Sequence, residues 1–510
     1  MKKLFNLLLA AVFLLAFLAE RQPIQASPSP IDSAQAWANK VEPDVQVSLD
    51  QLQSSDMLSV IITMADQADL SQIPGVGRAA RLQGVIRALQ AKAQASQVQI
   101  RAFLTAQAAQ GKVGQVTPFW VFNGLSVTAT ADVLQELAAR PDVQILSPDD
   151  IQIVPTGLNA FAAPGTNLSL VHASDLWDLG YYGQGVIVAN MDSGVDASHP
   201  DLAPRWRGGS NSWFDPYGQH PTTPTDLTGH GTQTMGVMVA GDASGTSLGV
   251  APQAQWIAVK IFNDSGTATA TAIHQGFQWL LDPDGNPTTA DAPQVVNNSW
   301  AFGAPGCNLG FQLDLQSLVA AGIMPVFSAG NYGPNASTSV SPANYPEAFA
   351  VGETDNADQI ANDSSRGPSA CGETSSIYPE LVAPGVNIHT TDRFGLYTNV
   401  SGTSLSAPHV AGALALLLSA YPDLGADYQA AALTNSAADL GAAGPDNTFG
   451  YGRLDVLAAY QWILANPAPT STPTSTPTDT PLPTDTPTPT ATPDLTINLA
   501  LNRPVSVSSI

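Results

Sequence analysis

Ser401-Gly402-Thr403-Ser404-Leu405-Ser406-Ala407-Pro408-His409 runs straight into Val410-Ala411-Gly412-Ala413-Leu414-Ala415-Leu416-Leu417-Leu418. A glycine turn followed by a long apolar run predicts a buried helix whose first turn carries one hydroxyl, Ser404. Free backbone N–H groups and the positive end of the helix dipole favour negative charge developing there, which suits a nucleophile. Taken alone, the same serine reads more simply as a cap on an ordinary core helix, which is what most such serines are. Segments upstream decide between the two.

From about Leu170 the chain alternates apolar strands with helices. Val186-Ile187-Val188-Ala189-Asn190-Met191, Trp256-Ile257-Ala258-Val259-Lys260-Ile261-Phe262, Val295-Val296-Asn297-Asn298 and Met324-Pro325-Val326-Phe327-Ser328 lack polar alternation. Strands of that kind, separated by helices, belong to a parallel sheet covered on both faces, a doubly wound α/β fold. Ligands in such sheets bind beyond the carboxyl ends of the strands. Asp192 stands at such an end, where a carboxylate is costly unless something uses it, although an Asp bonding its own turn is the plainer alternative. Thr228-Gly229-His230-Gly231-Thr232 puts a histidine between two glycines that let other groups come close. Phe327-Ser328-Ala329-Gly330-Asn331 offers a carboxamide at another strand end.

Together Asp192, His230 and Ser404 supply an acid, a base and a nucleophile in that chain order, with Asn331 as a donor to an oxyanion. Asp192-Ser193-Gly194, Gly229-His230-Gly231-Thr232, Ser328-Ala329-Gly330-Asn331 and Gly402-Thr403-Ser404 resemble the four blocks of the subtilisin-like serine proteases, the subtilases, over roughly residues 170–464. The resemblance implies a secreted endopeptidase that hydrolyses protein or peptide substrates and needs no cofactor for catalysis. It implies a cleft edge at Ser299-Trp300-Ala301 and Gly330 that binds substrate. Ala301 replaces the usual glycine there, and the extra methyl is expected to narrow the P1 pocket. Leu405 replaces an oxidisable methionine beside the nucleophile, so peroxide should inactivate the enzyme slowly; rapid loss of activity in peroxide would contradict this. Asp201 matches a position that ligates calcium in some members. The 241–248 loop brings it few evident partners, so Asp201 is expected to be solvated at the surface. No residue is assigned to a metal, though a structural calcium remains open.

Three other hypotheses are disfavoured. An α/β-hydrolase esterase lacks support, because no G-x-S-x-G surrounds Ser404 and that fold orders its triad Ser, Asp, His. A sedolisin-type acid protease would have a carboxylate in place of His230. A catalytically dead subtilase-like scaffold on a stalk would have no need of a complete triad.

At 510 residues, with 44% hydrophobic side chains, the chain has room for several domains. Eighteen Lys and Arg against 42 Asp and Glu give a formal charge of −24, which argues against nucleic acid or an anionic membrane as partner. Met1-Lys2-Lys3 and the apolar run from Leu4 to Ala19 read as a signal peptide over residues 1–26, with an uncleaved anchor as the alternative. Residues 27–155 read as a small α+β module in the order β-α-β-α-β. The module has strands at Leu58–Met64, at Phe119–Phe122 with Leu125–Thr130, and at Val143–Leu146, and helices over Arg78–Ala109 and Ala131–Ala139. It resembles the inhibitory propeptide of such enzymes, with maturation expected between Asp150 and Ala163. The catalytic domain spans 164–465, a Thr/Pro-rich linker 466–493, and a truncated start of a discoidin-like β-sandwich 494–510. The mature protein is thus expected to be extracellular and membrane-free, and its precursor to be inhibited by its own propeptide until cleavage. Cys307 and Cys371 are either paired or free; closing their loop would contribute about 4 kcal/mol.

Overall fold

Seven strands lie side by side in a computed structural model that describes residues 39–73, 77–155, 158–159, 165–372 and 376–467. The expected signal peptide, most of the Thr/Pro linker and the C-terminal fragment lie outside the described residues. The strand order is Leu381–Pro384, Phe349–Thr354, Met324–Ser328, Val295–Asn298, Ile187–Asp192, Gln255–Lys260 and Trp213–Phe214, and every neighbouring pair is parallel. Their side chains are buried on both faces, which is why the sequence shows apolar runs rather than alternation. Helices cover both faces, so the sheet is doubly wound as expected.

The helix Thr403–Ala420 is buried from Thr403 through Leu418. It is long and apolar enough to cross a membrane, but here it forms the core of one face of the sheet, with Leu414, Leu416 and Leu417 packed among Val188, Val326 and Val351. Pro408 inside it has no N–H for the carbonyl of Ser404, one turn back. That carbonyl instead accepts from Ser299 Oγ at 2.8 Å. The proline that weakens the helix thereby ties its first turn to the neighbouring strand.

Residues before the sheet form a four-stranded antiparallel sheet in the order Val113–Phe119, Gly124–Thr130, Met57–Met64, Val143–Pro148. Two features differ from the expectation. The helix expected over Arg78–Ala109 is two, Arg78–Ser96 and Val98–Ala108. Gln97 sits at the break and spends its buried Nε2 on Phe119 O, Asn123 Oδ1 and Gly124 O at 2.9, 2.9 and 3.1 Å. The strand expected at Phe119–Phe122 ends at Phe119, and the apolar residues after it form a turn. They are apolar because they dock on the larger sheet's helices. The Phe122 ring lies 4.4 Å from that of His274, and Ser317 Oγ donates to Val121 O at 2.6 Å.

Cys307 and Cys371 form a disulfide, with Cα atoms 5.1 Å apart, closing a separation of 64 residues.

Candidate active site

Asp192 ends the strand next to the centre of the sheet and is almost fully buried. A carboxylate there needs a partner, and it has one: His230 Nδ1 lies 2.8 Å from Asp192 Oδ1 and 3.0 Å from Oδ2. His230 opens the helix His230–Val239. The two approach because Gly231 has no side chain; a Cβ at that position would lie 2.1 Å from the carbonyl of Gly194. Burial pushes the imidazolium toward lower pKa, but the charge and hydrogen bond of Asp192, helped by Asp226, outweigh it and raise His230 above its ordinary 6.5. His230 Nε2 is buried and makes no hydrogen bond among the described residues.

Ser404 lies in the first turn of its helix, behind Gly402 at φ +139°, a backbone conformation that side chains disfavour. Its Oγ donates to the carbonyl of Ser299 at 3.2 Å. Asn331 follows the strand Met324–Ser328, and its Oδ1 accepts from Thr403 N and Oγ1 at 3.2 and 2.8 Å. With the oxygen held by Thr403, the Nδ2 donors take the opposite side of the carboxamide. Gly330 N also donates to Thr403 Oγ1, at 3.2 Å. The strand ends thus bring Asp192, His230, Ser404, Asn331, Gly330 and Ser299 to one edge of the sheet.

The cleft-edge residues divide by backbone and side chain. Trp300–Phe302 is a short strand whose backbone pairs antiparallel with Ile153–Pro155, in the register Trp300 with Pro155 and Ala301 with Val154. The Trp300 indole points away into the core, its ring within 6.0 Å of Phe311 and 5.6 Å of Phe327. Leu158–Asn159 pairs in turn with Val400–Ser401, just before Ser404.

Asp201 corrects an expectation. It is buried rather than solvated; its Oδ1 accepts from Ala243 N at 2.6 Å and its Oδ2 from Tyr397 hydroxyl at 2.7 Å. Its carboxylate thereby fastens the 241–248 loop.

Sequence reasoning missed two carboxyl groups that hold the site. Asp226 accepts from Ser193 Oγ, Thr228 N, Gly229 N, Thr232 N and Thr232 Oγ1, joining the turn after Asp192 to the start of the His230 helix. Glu353, on the strand Phe349–Thr354, is fully buried and accepts the Gly402 N–H at 2.9 Å through Oε1. Nothing in the local sequence distinguishes either from a surface acid.

Over residues 183–452 the chain matches the family described as the subtilase family, Peptidase_S8. It is 34% identical over 352 residues to subtilisin E of Bacillus subtilis (strain 168), covering 67% of this chain and 82% of that protein. The chain belongs to the subtilase family. As a subtilase it is a serine protease. It is also 34% identical over 410 residues to bacillopeptidase F of the same organism, a match that takes in 74% of this chain but 28% of that longer protein. With the alkaline protease of Alkalihalobacillus alcalophilus it shares 32% identity over 340 residues, 66% of this chain and 78% of that one.

Burial, followed by the charge of Asp363, pushes the Glu353 carboxyl up to about 8. A carboxyl with a folded value above its unfolded 4.5 favours the folded state below 4.5, and that contribution is lost as pH climbs toward 8. Glu353→Gln keeps an acceptor for Gly402 N–H and does not titrate. In an inactive Ser404→Ala background, raising the pH from about 5 to about 8 should lower the melting temperature several degrees less in Glu353→Gln than in its parent. Equal losses measured by calorimetry would contradict the assignment.

Proposed function

We propose that this subtilase is a secreted endopeptidase made as a self-inhibited precursor, with Asp192, His230 and Ser404 as its triad. In this reading Ser404 Oγ attacks the scissile carbonyl while His230 Nε2 takes its proton and then passes it to the leaving amine. Asp192 fixes the imidazole tautomer and stabilises its charged form. Asn331 Nδ2 and the Ser404 N–H stabilise the oxyanion, the amide contributing about 3 kcal/mol as measured in related enzymes. Substrate adds as a strand along Trp300–Phe302, with Gly330 and Ser299 completing the cleft wall.

One observation carries this reading: the protein's own chain already lies as that strand. Ile153–Pro155 pairs with Trp300–Phe302, and Leu158–Asn159 pairs with Val400–Ser401. The maturation cut is accordingly proposed between Pro155 and Leu158, in the stretch of sequence that joins these two pairings. The N-terminal sheet behind them docks through Asp149, whose Oδ1 accepts from Thr271 N and Oγ1 at the start of the helix Ala270–Leu281. That docking supports an inhibitory role. Secretion is supported by the apolar Leu4–Ala19 segment and by the disulfide, a bond that persists in oxidising compartments.

Purified wild type and Ser404→Ala should differ in mass. Wild type acquires a new N-terminus between Thr156 and Leu158 and hydrolyses casein, whereas Ser404→Ala stays joined and inactive. The same new N-terminus on purified Ser404→Ala would contradict self-processing.

Catalysis needs neutral His230, and its raised value puts the rise of kcat/KM above pH 6.5. Asp192→Asn removes the group that raises it. The variant should lose about 10³–10⁴-fold in kcat/KM, with its residual activity rising at lower pH than wild type. An unmoved acid limb in a pH–rate profile would count against the pairing.

A further inference from the structure

The loop joining the helix Ala270–Leu281 to the strand Val295–Asn298 contains Asp282-Pro283-Asp284-Gly285-Asn286-Pro287-Thr288-Thr289-Ala290-Asp291. One carboxylate oxygen from each of Asp282, Asp284 and Asp291 comes within 4.8 Å of the others. Two of the three also tie the loop together. Asp284 accepts from Asn286 N and Thr289 Oγ1, and Asp291 Oδ2 accepts from Asn211 Nδ2 at 2.8 Å.

Asp282 is different. It is 8% exposed, and its Oδ1 is buried without a hydrogen bond among the described residues. An unpartnered carboxylate oxygen beside two more carboxylates is expensive unless a cation joins them. The nearby protein cation is Arg207, on which the charges of Asp291 and Asp284 act without forming an ion pair. Among the described residues no lysine or arginine forms an ion pair with any of the three. The adjacent guanidinium of Arg207 directs its donors to Ser212 Oγ and to the carbonyls of Asp291 and Asn211.

We propose that Asp282, Asp284 and Asp291 bind one calcium ion. The donors are all hard oxygens, which suits calcium and magnesium and not the softer metals. The run Asp-x-Asp-x-Asn, with a further carboxylate beyond it, has the ligand order of calcium loops. Pro287 stands where an EF-hand needs glycine, so the resemblance is to the ligand spacing alone. The three carboxylates come from an irregular loop, which fits calcium's flexible coordination better than the strict octahedron magnesium demands. The site is separate from the active centre and independent of the triad assignment. It fastens the loop that precedes the cleft-edge strand, where the Ala292 and Pro293 carbonyls also receive Arg78 of the N-terminal domain.

Full-length Ser404→Ala protein, which cannot digest itself, is stripped with a chelator and titrated with calcium chloride or magnesium chloride up to about 1 mM. Calcium should raise the melting temperature by about 5 °C and magnesium by much less. Adding Asp282→Asn should remove one bound calcium per chain by calorimetric titration and abolish most of the shift. The pair Asp284→Asn and Asp291→Asn, at less buried positions, should do the same, and it decides the matter if Asp282→Asn does not fold. Unchanged stoichiometry and shift in these variants, no calcium binding by the parent, or an equal response to magnesium would overturn the proposal.

Discussion

Two helices must start at the same edge of one sheet with their first turns facing, and a ladder of buried amides holds them there. Asn190 Nδ2 donates to the carbonyl of Gly231 at the start of the His230 helix. Asn297 Nδ2 donates both to Asn190 Oδ1 and to Ser299 Oγ, each at 2.9 Å. Ser299 Oγ in turn donates to the Ser404 carbonyl that Pro408 leaves without a helical partner. The ladder crosses two neighbouring strands inside the core, where unpaired buried donors are costly; its amide N–H groups are paired, while Asn297 Oδ1 makes no hydrogen bond among the described residues. Losing any rung leaves a buried donor or acceptor unpaired, at about 1–3 kcal/mol, and frees one helix start relative to the other. The geometry of the proposed site and the stability of the fold are therefore carried by the same groups.

A second constraint comes from the cleft edge. Trp300–Phe302 has its indole anchored among Phe277, Phe311 and Phe327, which leaves the backbone as the feature available to a neighbouring chain. An edge strand with open N–H and C=O groups pairs with whatever extended segment is near. Here the segment is Ile153–Pro155, delivered by the N-terminal sheet. Inhibition and substrate binding in the proposed function use one surface, so the precursor needs no separate inhibitory site.

The sheet was legible because its central strands are buried on both faces and contain little but apolar residues. Asp192, His230, Asn331 and Ser404 stood out because close approach requires glycines around them, and that punctuation survives in the sequence. Asp226, Glu353 and the Ser299 hydroxyl were invisible because each acts through partners distant in sequence. Asp226 reaches Ser193, and Glu353 reaches Gly402. Gln97 was hidden for a related reason, since a glutamine in a Gln-rich helix gives no sign that its amide will bind three groups elsewhere. Asp201 shows the reverse error. A lone acid near a loop looks solvated until the Tyr397 hydroxyl, distant in sequence, is seen to donate to it.

The central claim is that Ser404 is a nucleophile activated by His230. A fluorophosphonate probe, which reacts with activated serine hydroxyls and needs no peptide substrate, tests this on the mature protein. Peptide mapping should find the phosphonyl adduct on Ser404, with labelling about 10³-fold or more slower in His230→Ala whose N-terminal segment has been removed with a separate protease, since that variant would not process itself. An adduct on another serine, or equal labelling with and without His230, would contradict the account.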